Sequence, residues 1–128
     1  AAWVRGRARS LPLFRSTKMP TDDIAEIDSD EVLISNGADV LGLMYGREEN
    51  NIILHKKNIT PQFFDLTTGV AGDVAQKLVN YRCRIAIVGD FSHIESKSLR
   101  DFIYESNRRG NIFFVATVAE ARQKLSAA

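Results

Sequence analysis

Two short clusters in this 128-residue chain carry side chains whose types and spacing could do chemistry. Asp65-Leu66-Thr67-Thr68-Gly69 sets a carboxylate two and three residues ahead of two hydroxyls, and Val70-Ala71-Gly72-Asp73 follows. That pattern suits the start of a helix, where a hydroxyl caps free N–H groups. A phosphate carried on such a hydroxyl adds up to about two negative charges and remodels any face it sits on. Asp90-Phe91-Ser92-His93 puts a carboxylate, a hydroxyl and an imidazole within four residues. These are the residue types of an acid–base or nucleophilic site. Ser92 and Glu95 also have the spacing of a capping box, which accounts for both without any chemistry. The Gly69 to Gly72 stretch could seat a phosphate on open N–H groups, although Gly72 reads more economically as a place where a helix packs closely on a sheet.

Other chemistries find little support. The two histidines, His55 and His93, lack metal-ligand spacing, although both follow strand-like runs and could converge. Neither GxGxxG nor GxxxxGK[ST] is present. No metal and no cofactor is therefore expected. The single cysteine, Cys83, stands between Arg82 and Arg84. Flanking cations can activate a thiol, but a small residue entering a buried strand is the simpler reading. Phe63, Phe64 and Tyr81 could form a stacking platform for nucleic acid. They lack interleaved basic residues, so core packing is the expectation.

These residues must be positioned by a series of alternating elements. Residues 24–27 read as a short strand, with 11–15 as its hairpin partner. Ser35 and Asn36 are N-cap residues for a helix carrying Val40, Leu41 and Met44, which Gly46 ends. Residues 52–54 form a short continuous apolar run of the kind buried on both faces. Thr60-Pro61 signals a tight turn or helix start. Val70, Val74, Leu78 and Tyr81 fall on one helical face. Residues 84–90 contain the clearest buried strand, Ile85-Ala86-Ile87-Val88. The Ser92–Glu95 box then predicts a helix with Leu99, Phe102, Ile103 and Ser106 inward and Gly110 as its stop. Residues 112–115 form another strand. Thr117 and Glu120 make a second capping box, opening a helix with Val118, Ala121 and Leu125 inward. Such alternation predicts one α/β domain over residues 21–128, with a mostly parallel sheet of four to five strands and four helices. Ligands of such sheets bind at the carboxyl ends of the strands.

Charge is distributed unevenly. The chain has 17 basic and 16 acidic residues, and five of the bases (Arg5, Arg7, Arg9, Arg15, Lys18) lie in the first 19 residues, which hold no acid. The remainder carries twelve bases against 16 acids and is mildly acidic, which argues against nucleic acid as the main target. Residues 1–20 read as a basic arm, either disordered or a remnant of processing or expression, without the apolar core of a secretory signal. No apolar run approaches the roughly 18 residues of a membrane span. One unpaired thiol fits a reducing compartment, so a cytoplasmic location is expected.

Three blocks of the sequence carry a resemblance: Asn58-Ile59-Thr60-Pro61 through Tyr81, then Ala86-Ile87-Val88-Gly89-Asp90-Phe91, then Ser96-Lys97-Ser98-Leu99-Arg100-Asp101-Phe102-Ile103-Tyr104-Glu105-Ser106-Asn107. Over roughly residues 24–125 the chain resembles an uncharacterised bacterial family, domain of unknown function 4180. The family label brings no activity. The element order is more distantly similar to the STAS domain, the fold of anti-sigma-factor antagonists. There, a strand leads into a loop with an Asp-Ser-Ser/Thr-Gly motif that opens the second helix, and a partner kinase phosphorylates the hydroxyl to control docking. The matching stretch here is Asp65 to Gly69, with an extra Leu66. The resemblance implies Thr67 or Thr68 as phospho-acceptor and a protein-docking face formed by Asp65, Gly69, Gly72 and Asp73. The partner would be a kinase-like regulator. The alternative is a small-ligand or enzyme site at Asp90, Ser92 and His93.

Overall fold

The apolar runs at residues 24–27, 52–54, 85–88 and 112–115 become strands, because alternate residues of each run have a hydrophobic layer to enter on either side. The computed structural model describes residues 23–126. Its strands are β1 (Ile24–Glu26), β2 (Asn51–His55), β3 (Arg84–Val88) and β4 (Ile112–Val115). They form one parallel sheet in the order β1-β2-β3-β4. Between and after them come α1 (Ala38–Met44), α2 (Val70–Asn80), α3 (Lys97–Arg109) and α4 (Val118–Ser126). Three short 3-10 turns, Lys56–Asn58, Pro61–Phe64 and Leu66–Thr68, link β2 to α2. The expectation of an α/β domain with a mostly parallel sheet of four to five strands and four helices holds, with four strands among the described residues. The hairpin partner expected at 11–15 lies outside the described residues.

The sequential strand order fixes the layers. Each parallel crossover steps one strand in the same direction, and the right-handed preference sends successive helices to the same side. Accordingly Val40 of α1, Val74 and Leu78 of α2, and Phe102 and Ile103 of α3 pack with Ile52, Leu54, Ile85, Ile87, Ile112 and Phe114. The other face is left to α4, whose Ala121 and Leu125 meet Ile24, Ile53, Ala86, Phe113 and Val115. Leu78 is wholly buried, and truncating it to Ala would cost about 2–5 kcal/mol.

The helix starts are more mixed. α4 opens as expected: Thr117 Oγ1 accepts from the Glu120 N–H at 3.0 Å, while the Glu120 carboxylate accepts from the Ala116 N–H at 3.1 Å. At α1 the helix begins after Gly37, and Asn36 Oδ1 accepts from the Asp39 N–H. α3 corrects the expectation. Its cap is Ser96, whose hydroxyl accepts from the Leu99 N–H, and not Ser92. The Ser92 hydroxyl and N–H both turn back to Asp90, so residues 92–95 stay outside the helix. Arg100 holds that loop by donating to the Ile94 and Glu95 carbonyls.

The amino end of the sheet is closed by a polar network. Asn51 Nδ2 donates to the Asp23 carbonyl and carboxylate, and Asn51 Oδ1 accepts from Arg84 Nε at 2.9 Å. Arg84 also donates to the Leu125 carbonyl at 2.6 Å, which ties the last turn of α4 to β3. Cys83 lies beside this network. Burial, with the nearby Asp23 charge, pushes its thiol up to about 11. It is buried and protonated at neutral pH, as the packing reading expected.

Candidate functional site

The carboxyl end of the sheet carries both clusters singled out above, on two neighbouring loops. The first turn of the β2-to-α2 connection ends in Asn58, a fully buried polar residue. Its amide donates to the Ser29 and Glu31 carbonyls and accepts from the His55 N–H. The Leu33 and Ile34 N–H groups donate to its backbone carbonyl. One side chain thus stitches the β1-to-α1 loop to the strand end. Sequence reading passed over it; a lone Asn between a strand and a Thr-Pro turn gives little warning that it will be buried.

The connection then enters the Asp65-to-Gly69 turn. Asp65 caps it: its Oδ1 accepts from the Thr67 N–H at 3.0 Å and from the Thr67 hydroxyl at 2.6 Å. Those bonds, the hydroxyl's first, hold the Asp65 carboxyl below its ordinary range. Thr68 Oγ1 lies 2.8 Å from both the Gln62 and Asp65 carbonyls, and accepts from the Val70 N–H at 3.3 Å. Gly69 then reverses the chain into α2 with φ +79°, the left-handed region a side chain disfavours. Thr67, Thr68, Gly69 and Gly72 are exposed. A Cβ on Gly72 would meet nothing within 4 Å. The expected close helix-to-sheet packing at Gly72 is therefore corrected, because the residue points away from the sheet.

Asp73 has a structural partner. Its Oδ2 accepts from the Gly37 N–H at 2.7 Å, and its Oδ1 from Lys77 at 3.2 Å. The first of these bonds is the main cause of its lowered pKa. Asp73 thereby ties the first turn of α2 to the start of α1. Beside this junction the solvent side of α1 carries Ala38, Leu41, Gly42 and Tyr45, all exposed and none charged. A helix on a protein surface ordinarily turns charged residues outward. Leu41 is 52% and Tyr45 87% exposed, and Val79 on α2 is 54% exposed.

The second cluster follows β3. Asp90 accepts from both the N–H and the hydroxyl of Ser92, the latter at 2.6 Å, which is the first cause of its lowered pKa. His93 Nε2 stands 3.6 Å from the other Asp90 oxygen, with its ring largely in solvent. The carboxylate thus lies between hydroxyl and imidazole. A nucleophilic serine needs the imidazole in that central place to take its proton. A shallow hollow of about 440 Å³ beside the cluster is lined by Asp90, Phe91, Ser92, Phe114 and Glu120, without His93. The three residues are together in space, but arranged as a turn.

Aromatic rings join the two loops. Phe63, wholly buried, packs on Phe64, Phe102 and Phe114, and Phe64 reaches Phe91 at 6.1 Å between ring centres. The Phe63 and Phe64 pair is thus core and loop support, as expected over a stacking platform. Among the described residues no three His, Cys, Asp or Glu side chains gather as a metal site, and no helix is long and apolar enough to cross a membrane.

No curated protein and no solved structure matches the chain. A family model described as "Domain of unknown function (DUF4180)" matches residues 20–125. With more than four-fifths of its length matched, the chain belongs to that family.

Proposed function

We propose that this domain is a protein-interaction module, docking a partner through the face formed by Asp65, Gly69, Gly72 and Asp73 and regulated by phosphorylation of Thr67 or Thr68. One observation carries the reading: two exposed threonine hydroxyls sit on a fixed turn at the start of α2, next to the uncharged outer side of α1. The resemblance of the element order to STAS domains belongs to the same proposal, and a kinase-like regulator is the partner it implies.

The two acceptors would act differently. A phosphate on Thr67 replaces a donated proton with negative charge beside Asp65, so like-charge repulsion opens the turn. A phosphate on Thr68 gives up the donation to the Gln62 and Asp65 carbonyls. It gains the first N–H groups of α2 and the favourable end of the helix dipole. Either change adds charge to a face that already carries the Asp65 carboxylate, and alters its shape.

The test is phosphopeptide mapping of the chain purified from its own cells, together with capture of partners by the tagged chain. Phosphate on Thr67 or Thr68, and a partner lost on Thr67→Glu or Thr68→Glu, are the expected results. An unmodified turn, with the same partners on both glutamate variants, would refute the reading.

A further inference from the structure

We infer that a cleft beside Lys56, on the loops next to the threonine turn, binds a small apolar carboxylate. The cleft holds about 310 Å³ and is lined by Lys56, Ile59, Pro61, Phe64, Ile94 and Leu99. It lies at the carboxyl ends of β2 and β3, the usual place for ligands of a parallel sheet. Five of its six lining residues are apolar, and Lys56 supplies its single charge. Few polar groups in an apolar concavity is the ordinary composition of a small-molecule site.

Lys56 is held in place. Its stem lies against Gly89, where a Cβ would come within 2.8 Å of the Lys56 Cβ and 3.3 Å of its Cδ. Only glycine leaves room there. Its ammonium stands 5.6 Å from the centre of the Phe64 ring and 5.4 Å from that of Phe91, within cation–π range of both. Lys57, Lys77 and Lys97 each pair with an aspartate. Among the described residues Lys56 has no carboxylate within 4 Å; its one hydrogen bond is a long 3.4 Å contact to the Asp90 carbonyl, and its charge reaches the Asp90 carboxylate as a minor cause of that group's lowered pKa. The walls are fixed as well. Arg100 pins the Ile94 carbonyl, and the Pro61–Phe64 turn carries the opposite side.

This arrangement selects its ligand by chemistry. Lys56 is the one lining residue with a donor side chain, and a single ammonium matches a singly charged head group. A phosphate is best met by arginine forks, and no arginine lines the cleft. The apolar walls take a hydrocarbon or aryl body. A short fatty acid or an arylalkanoic acid meets both requirements.

The full-length chain, labelled with nitrogen-15, should be titrated with octanoate and with 3-phenylpropionate, and in parallel with octanamide and 3-phenylpropanol. The acids should shift the amide signals of Ile59, Phe64, Ile94 and Leu99. The neutral analogues should bind about tenfold more weakly, the size of one charge-assisted hydrogen bond. Lys56→Met keeps the stem, removes the charge and should bring the same loss. Gly89→Ala displaces the stem and should also weaken the acids. No shifts at millimolar acid, or acids and neutral analogues binding alike to wild type and Lys56→Met, would overturn the inference.

Discussion

At the amino end of the sheet, Asp23, Asn51 and Arg84 are joined to each other and to the last turn of α4. At the carboxyl end, Thr67, Thr68, Ser92 and His93 stand in solvent and bond no farther than the preceding turn, Thr68 reaching the Gln62 carbonyl and the others staying within their own turns. Both ends hold polar side chains. At one end they join separate elements; at the other they shape loops and leave a surface. The difference suggests where to look for function in a parallel sheet: polar groups that cross between elements belong to the fold, and those that bond only locally are available to a partner. Asn58 and Asp73 are the informative exceptions, since both sit at the carboxyl end and both tie one element to another.

The largest expected effect tests that exception. Asn58→Ala strands buried partners in two loops and should lower stability by about 3 kcal/mol, read by urea unfolding. A loss under about 1 kcal/mol would show that water replaces the amide without cost. Next comes the amino-end network. Asn51→Leu and Arg84→Met should each cost about 2 kcal/mol, and the double variant clearly less than their sum, because each single variant breaks the bond between them and leaves the other side unsatisfied, whereas the double variant loses that bond once. Additive losses would mean that the two side chains act independently. Gly69→Ala forces a side chain into the left-handed region and should cost about 1 kcal/mol, with the change confined to the threonine turn.

Acid sharpens the comparison further. Asp65, Asp73 and Asp90 are held below the ordinary carboxylate range by bonds from Thr67, Gly37 and Ser92 respectively. Lowered folded-state pKa values stabilise the fold while the unfolded carboxylates are ionised, above about pH 4. As pH falls below that, the unfolded chain takes up protons first and the contribution is lost. Stability should therefore be level from neutral to about pH 5 and fall below about pH 4. Asp73→Asn should flatten part of that fall, because it removes one of the linked protons. An unchanged acid slope in Asp73→Asn would remove Asp73 from the account.

Much of this organisation is legible in the sequence, and the exceptions have physical reasons. The strands are readable because buried parallel strands are short continuous apolar runs, as in Ile85-Ala86-Ile87-Val88. The α4 start is readable because Thr117 and Glu120 act locally. The α3 start is not, since Asp90 takes the Ser92 hydroxyl that the capping box needs, and Ser96 does the work four residues later. Gly72 gives the right letter for close packing but lies on the outer side of its helix. The setting of Lys56 depends on Gly89, 33 positions away, and on two rings from different loops. No local pattern announces it.

The account turns on whether the threonine turn governs docking. The most direct measurement is the affinity of a captured partner for wild type, Thr67→Glu and Thr68→Glu, with Asp90→Asn as the control on the neighbouring loop. The glutamate variants should weaken binding by about tenfold or more, the scale of a charge placed in an interface, while Asp90→Asn stays near wild type. Equal affinity across all four proteins would contradict the account.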